Sequence, residues 1–359
     1  MSNITTNNSD TNYAQCDNTA SIAVPFKVSI LSLVLVVGPL TNILIIILVL
    51  RYQRLKKNIN YLIANMAVSD LMALLLGVPQ WLEMELSGSI SWKITGLLGS
   101  ITCKVFYFVF YTVPVVSLLT LLIISLERYR AVTRSSCAAP PSRRQIAITI
   151  LISWLIPLLM FSSSLHFFDV VSYNGVQICR MTHVSLLTSL QYAIIQTVLT
   201  VLLFVAMLAI NVMILKKLRM SRFAANLPEI QRKKRERRII RAVCMVLFSL
   251  LLYSICLLPA NILELVIAAY WYYNKVPISA AFCINWNALL FAIYFLFYVN
   301  FTASPFIYIF FLEDFNSSAK KLLCCGTKSW KAEQETLTDQ PQIPTTHEEL
   351  KTLVKHCNN

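Results

Sequence analysis

The sequence predicts an all-α membrane protein, a seven-transmembrane helix bundle followed by a short amphipathic cytoplasmic helix after the seventh span. Three observations predict it. The 359 residues are 57% hydrophobic and only 13% charged, against about 45–50% apolar and about 25% charged in ordinary soluble domains. Seven runs of about 18 or more residues carry almost no charge, and each is long enough to cross a bilayer as a helix. The 31 Lys and Arg are also divided very unevenly between alternate loops. With only 7 Gly, the chain is poor material for Gly-rich phosphate loops, a dinucleotide-binding core or the broken helices of many transporters.

The apolar runs fall at 28–50, 59–82, 105–126, 145–168, 184–215, 242–271 and 284–312. They are too long and too continuously apolar for the alternating strands of a membrane barrel, so helices must satisfy the backbone. The first run follows about 25 polar residues, lacks a basic leader and is too long for a signal-peptide core, so it is read as a span. Lys27, Lys93, Lys104, Arg180 and Lys275 belong to the N-terminal segment and the even-numbered loops. The other 26 of the 31 Lys and Arg follow spans 1, 3 and 5 or lie in the tail. Basic residues accumulate on the cytoplasmic side. That places the N-terminus outside and the C-terminus inside a plasma-membrane protein, and explains the +14 charge without nucleic-acid binding. The chain divides into an extracellular N-terminus (1–25), the seven-span domain (26–312), a membrane-surface helix (313–325) and a disordered cytoplasmic tail (326–359), whose Pro341 and Pro344 sit among mixed charges. Asn3-Ile-Thr and Asn7-Asn-Ser are glycosylation acceptors on the expected outer side.

Between spans 4 and 5, Val170-Val-Ser-Tyr-Asn174-Gly175-Val-Gln-Ile-Cys179 flanks an Asn-Gly pair with β-branched residues. This pattern predicts a short hairpin with a two-residue turn at the outer mouth, the alternative being a bare turn. After span 7 the segment from Glu313 presents Phe315, Leu322 and Leu323, and Cys324 and Cys325 follow at a distance suited to palmitoyl anchoring, or are plain reduced thiols. Within the spans, Asp70 is the outstanding ionisable group, since a charge in hydrocarbon costs several kcal/mol unless paired or hydrated. Asn42, Ser117, Asn300 and Ser304 are available as partners. A polar core filled by water or a sodium ion near Asp70 is the expectation, with a protonated Asp70 as the alternative. No other cofactor and no metal centre is expected.

At these residues the chain resembles the rhodopsin-like (class A) G-protein-coupled receptors, over about residues 25–325. The resemblance is carried by an ordered set: Gly38 and Asn42; Asn65-Met-Ala-Val-Ser-Asp70; Cys103 heading span 3; Ser125-Leu-Glu127-Arg128-Tyr129 closing it; Trp154; Cys256-Leu-Leu-Pro259; and Ser304-Pro305-Phe-Ile-Tyr308 followed by Phe315. It implies that an extracellular ligand opens the cytosolic end of helix 6 to activate a heterotrimeric G protein, with Arg128 engaging that partner. The adjacent Glu127 carboxylate can hold the Arg128 guanidinium until rearrangement frees it and Tyr129 follows it, Pro259 and Pro305 are hinges, Ser304 belongs to the switch, and Tyr308 stabilises the opened cleft. It implies a Cys103–Cys179 disulfide; a second pair, Cys16–Cys283, follows only by elimination, the alternative being two free thiols. Thr336, Thr338, Thr345, Thr346 and Thr352 are candidate phosphorylation sites for arrestin recruitment. The basic stretch Arg232–Arg238 suits anionic lipid or an acidic partner face, or is a solvated basic loop.

The chain departs from the family pattern in its switch parts. Leu257 stands where a Trp is usual before Pro259, Ser304 where an Asn is usual before Pro305, and Asn211 about where span 5 usually has a Tyr. Span 5 also has no proline between 184 and 219. An atypical or scavenging receptor with weak or no G-protein coupling is the alternative reading.

Amine receptors of the family carry an Asp about two turns into span 3, where this chain has Phe110. Opsins carry a span 7 lysine, where this chain has Tyr298. Biogenic amines and covalently bound retinal are therefore disfavoured. The outer half offers Glu264 with Trp81, Phe110, Trp271, Tyr294 and Tyr298, and Arg180 beside Cys179. A lone carboxylate in an aromatic mouth suits a cationic or amidated peptide end, hence a neuropeptide-like ligand, although part of this aromatic set must serve packing and the interfacial belt. His166, His183, His347 and His356 show no metal-ligand spacing, and no nucleophile and base pair up within the spans, so no enzyme activity is expected.

Overall fold

The computed structural model describes residues 22–89, 91–133, 142–173, 175–182, 185–220, 229–274 and 286–325. Asn3, Asn7, Cys16, Cys283 and the tail from 326 lie outside them. In order come α1 (Val24–Arg51), a 3-10 turn (Gln53–Leu55), α2 (Asn58–Ser87), α3 (Gly96–Thr133), α4 (Arg143–Phe161), the single turn α5 (Ser164–Phe167), β1 (Phe168–Tyr173), β2 (Val176–Met181), α6 (Leu186–Met220), α7 (Glu229–Cys256), α8 (Leu258–Asn274), α9 (Trp286–Phe311) and α10 (Glu313–Cys325). Among the described residues, seven helical stretches are long and apolar enough to span a bilayer, α4 running on into α5 and α7 into α8. Together with α10 this is the expected seven-helix bundle with a helix after the seventh span.

These helices are apolar all round, as helices packed between a protein core and lipid must be. On α1, Leu33, Val36, Leu40, Ile43, Ile47 and Leu50 form an exposed stripe at helical spacing, while Leu31, Val34, Asn42, Ile45 and Val49 are buried. The outward stripe is what a bilayer would cover. Local chemistry marks the ends: Pro25 sits in the first turn of α1, Ser142 and Gln145 form a capping box at α4, and Gly88 closes α2 at φ 62°.

α3 has 38 residues, about 57 Å at 1.5 Å per residue, against a hydrocarbon layer of about 30 Å. The apolar run at 105–126 is shorter because Lys104, Glu127, Arg128 and Arg130 break the hydropathy pattern without breaking the helix. The basic stretch Arg232–Arg238 is likewise part of α7 and not a loop, so span 6 continues well beyond its apolar portion.

Proline acts differently in the two expected hinges. In span 6 the helix is interrupted at Leu257, two residues before Pro259. α9 passes Pro305 without interruption. Pro305 has no N–H for the carbonyl of Phe301, but Asn42 Nδ2 supplies a donor to that carbonyl at 3.0 Å, so it is not left unpaired.

The hairpin forms as the Asn-Gly pattern predicts. Tyr173 pairs with Val176 across a two-residue turn and Phe168 with Met181 at the open end. Gly175 has φ 79°, the left-handed conformation such turns require. At the far end of the chain, α10 starts with Glu313 and Asp314 in its first turn, favourable for the helix dipole, and buries Phe315 and Ala319 against the bundle. The backbone of Cys324 and Cys325 closes α10; their side chains lie outside the described residues.

Candidate functional site

At the hairpin end, several contacts hold β1 and β2 to the rest of the structure. Cys103 and Cys179 are disulfide-bonded with Cα atoms 5.7 Å apart. Trp92 N–H donates to the Gln177 carbonyl at 2.7 Å. The Tyr107 and Phe168 rings stack at 3.9 Å, and Lys104 Nζ lies 3.3 Å from the Asp169 carboxylate. The Ser100 hydroxyl, the Val170 N–H and Lys104 together hold the Asp169 carboxyl below the usual carboxylate range. Arg180 faces Asp169 across the hairpin ladder and is exposed.

Beneath this cap a cavity opens between α3, α6, α7, α8 and α9. Its walls include Phe110, Tyr111, Phe297, Tyr253 and Leu257, and its polar groups include Gln196, Asn261 and Glu264. Phe110 stacks on Phe297 at 4.9 Å, so the position where amine receptors carry a carboxylate is filled by an aromatic pair. Tyr107, Tyr111, Tyr192 and Tyr294 all lie within electrostatic range of Glu264. Trp81 packs on Tyr294 at 4.9 Å and Tyr294 on Phe110 at 6.4 Å. Of the residues singled out from sequence, Phe110 and Glu264 therefore line the cavity, Trp81 and Tyr294 adjoin it through ring contacts, and Tyr298 is buried against Phe297 and Gly77. Trp271 is 44% exposed.

The middle of the bundle is polar. Asp70 is buried, and its Oδ1 accepts from the Ser117 hydroxyl at 3.0 Å, while Ser69 and Ser117 share a 2.8 Å hydrogen bond. Ser304 adjoins Asp70 and donates to the Asn300 carbonyl at 2.8 Å. Asp70 Oδ2 and Asn42 Oδ1 are buried without a hydrogen-bond partner. A second cluster ties three helices: Trp154 Nε1 donates to Asn65 Oδ1 at 2.8 Å, and Asn65 Nδ2 donates to Thr120 at 3.0 Å. Asn211 of α6, where a tyrosine is usual, donates to Ser125 of α3 at 3.1 Å.

At the opposite end a second cavity is lined by Lys57, Glu127, Arg128, Arg238, Arg241, Phe311, Glu313 and Asp314. Glu127 pairs with Arg130 at 3.2 Å, one turn on, while Arg128 Nε is buried without a hydrogen-bond partner. The nearby ion pairs instead tie α10 to the bundle: Asp314 to Lys57, and Glu313 to Arg241 of α7. Tyr308 is fully buried, its hydroxyl 3.8 Å from Met66 Sδ.

Sequence reading missed Gln196 and Asn261. Gln196 Nε2 donates to Asn261 Oδ1 at 3.1 Å, across 65 residues of chain. Asn261 lies three residues before Glu264, on the same helical face, which was a usable signal; the isolated amide in span 5 carried none.

Residues 41–308 match the family described as 7 transmembrane receptor (rhodopsin family). Among curated proteins, human Neuromedin-U receptor 2 is 27% identical over 331 residues, covering 87% of this chain and 73% of that protein. Neuropeptide receptor 15 of Caenorhabditis elegans is 31% identical over 126 residues, covering 33% of this chain and 34% of that protein. 5-hydroxytryptamine receptor 1B of Cricetulus griseus is 33% identical over 141 residues, covering 38% and 34%. The matched segment thus spans only about a third of the worm and hamster proteins, and 32% of mouse Neuromedin-U receptor 2. With the family match running through all seven spans of the bundle, the chain belongs to the rhodopsin family of seven-transmembrane receptors.

Proposed function

We propose that this receptor takes a peptide with a cationic or amidated end into the cavity under the hairpin, and answers by opening the Arg128 end of α7 to a heterotrimeric G protein. The observation that carries the reading is Glu264, a carboxylate in a cavity whose aromatic walls include the stacked Phe110 and Phe297. A partly buried carboxylate in such walls favours a cation that shares its desolvation. A relative named as a neuropeptide receptor supports a peptide. The serotonin-receptor relatives do not bring an amine ligand with them, because Phe110 has no charge to offer an ammonium. The N-terminus and hairpin face outward from the plasma membrane in this reading, following the basic-residue bias, and arrestin joins at the phosphorylated tail.

Arg128 engages the G protein, with Glu127 and Tyr129 beside it. Pro259, Ser304, Pro305 and Tyr308 carry the change from one end to the other. The polar core fits a sodium ion: Asp70 Oδ2 and Asn42 Oδ1 are orphaned acceptors, and the Ser117 and Ser304 hydroxyls adjoin. Asp70, Asn42, Ser117, Asn300 and Ser304 would hold it, and the ion would offset the Asp70 charge. Cys324 and Cys325 are the proposed lipid anchors. The break at Leu257, without an aromatic toggle, favours as a second reading a receptor that captures its ligand with weak or no G-protein coupling.

The test is a screen of basic and amidated peptides with a nucleotide-exchange readout, followed by Glu264→Gln. A basic agonist should lose about tenfold in potency, about 1.4 kcal/mol. Unchanged potency would remove Glu264 from the site, and binding without exchange would select the second reading.

A further inference from the structure

The Gln196–Asn261 pair is a polar bridge that joins α6 and α8 at the cavity. Gln196 Nε2 donates to Asn261 Oδ1 at 3.1 Å. Asn261 Nδ2 in turn donates to the Leu257 carbonyl at 3.2 Å, and so does the Asn261 backbone N–H, also at 3.2 Å. Leu257 is the residue at which span 6 is interrupted. One amide pair thus connects span 5 to the break. The bridge is incomplete on one side only: Gln196 Oε1 is buried without a hydrogen-bond partner, in a cavity that also contains Glu264.

A buried carbonyl oxygen without a donor costs about 1–3 kcal/mol, a cost a ligand donor would relieve. Gln196 cannot satisfy this oxygen by flipping its amide, because its Nε2 would then be withdrawn from Asn261 Oδ1, itself an acceptor. The cavity therefore presents one neutral acceptor on α6 that lacks a donor, with the Glu264 carboxylate of α8 in the same lining beside Phe110, Tyr111, Tyr253 and Phe297. A guanidinium is the group that meets both. It carries five donors in a planar fork, stacks on aromatic rings and is more weakly hydrated than an ammonium.

We propose that Gln196 and Asn261 form a recognition pair for a ligand guanidinium, in which Gln196 Oε1 accepts from the ligand and Asn261 relays the contact to the helix break at Leu257. This inference rests on the reading of the cavity as the ligand site. It adds a specificity-determining residue on span 5, and a link to span 6 where the usual aromatic toggle is Leu257. A ligand that orders Gln196 holds the amide of Asn261, and so favours one arrangement of the turn that Pro259 leaves weakly bonded.

The test uses the full-length chain in lipid nanodiscs and the probe Nα-acetyl-arginine amide at millimolar concentration, with binding read by saturation-transfer NMR. Nα-acetyl-lysine amide and Nα-acetyl-citrulline amide serve as ammonium and neutral comparators. The arginine probe should bind saturably and more tightly than either. Gln196→Leu should weaken it about tenfold, and Gln196→Glu, which keeps the acceptor and adds charge, should strengthen it. The Glu variant also guards against misfolding of the Leu variant. Absence of saturable binding to the unsubstituted chain, or equal affinity in all three Gln196 forms, overturns the proposal. Should Glu264→Gln leave probe affinity unchanged while Gln196→Leu lowers it, the assignment of Glu264 fails and that of Gln196 stands.

Discussion

Asn42 Nδ2 donates to the carbonyl of Phe301 at 3.0 Å, the same carbonyl that Pro305 leaves without its helical donor. A side chain of α1 thus completes the backbone of α9, and the two helices are joined where span 7 would otherwise be weakest. Removing the amide strands a buried carbonyl, so Asn42→Leu should cost about 1–3 kcal/mol, seen as a lower unfolding temperature in nanodiscs. In a Pro305→Ala background the restored N–H can serve Phe301, and the same substitution should then cost measurably less. Equal costs in the two backgrounds would show that the bond does not compensate for the proline.

Gly77 lies against Tyr298 so closely that a Cβ there would stand 2.3 Å from the tyrosine hydroxyl and 2.5 Å from its ring. Gly77→Ala must therefore displace a buried ring beside Phe297, at a cost of about 1–3 kcal/mol. Thermal unfolding should show that cost, and show it reduced when Tyr298→Ala is already present.

The hairpin anchor has a pH signature. Asp169 is held below the usual carboxylate range by the Ser100 hydroxyl first, then by the Val170 N–H and Lys104. A depressed native pKa stabilises fully above the unfolded value of about 3.9 and is lost as pH falls through the native value. Asp169 should thus add no pH dependence to stability near neutrality, where its contribution is fully present, and Asp169→Asn should flatten only the acid limb of a stability-against-pH curve, below about pH 4.

At the Arg128 end, Glu313 of α10 pairs with Arg241 of α7, and among the described residues Arg128 Nε has no hydrogen-bond partner. The pair holds the element that must move if the cleft is to open. It is half-exposed, so its worth is about 0–1 kcal/mol, and Glu313→Gln should raise ligand-free nucleotide exchange by no more than about fivefold. Reversing both charges, Arg241→Glu with Glu313→Arg, should bring exchange back toward the starting level. An unchanged basal rate in the single variant would show that the pair does not restrain α7.

The legible parts of this protein were those set by local chemistry. Seven spans follow from uninterrupted apolar runs, and the hairpin follows from Asn174-Gly175 between β-branched residues. What escaped depends on contacts between distant residues or on helices that outlast their hydropathy. Gln196 and Asn261 meet only because α6 and α8 pack together. Glu127 turns to Arg130 and not to its neighbour Arg128 because residues three apart share a helix face and adjacent ones do not. α3 and α7 continue through charged residues because helix propensity survives outside lipid while mean hydropathy does not. The break in span 6 falls at Leu257 and not at Pro259 because the missing donor acts on the turn before the ring.

The central claim is that ligand binding under the hairpin is converted into an opening beside Arg128. The most direct measurement is nucleotide exchange by a heterotrimeric G protein on the full-length receptor in nanodiscs, driven by a peptide agonist from the screen and compared with Arg128→Ala at matched surface expression. Agonist-driven exchange should be present in the unsubstituted chain and lost in Arg128→Ala, with peptide binding retained; exchange that survives the loss of Arg128 would contradict the account.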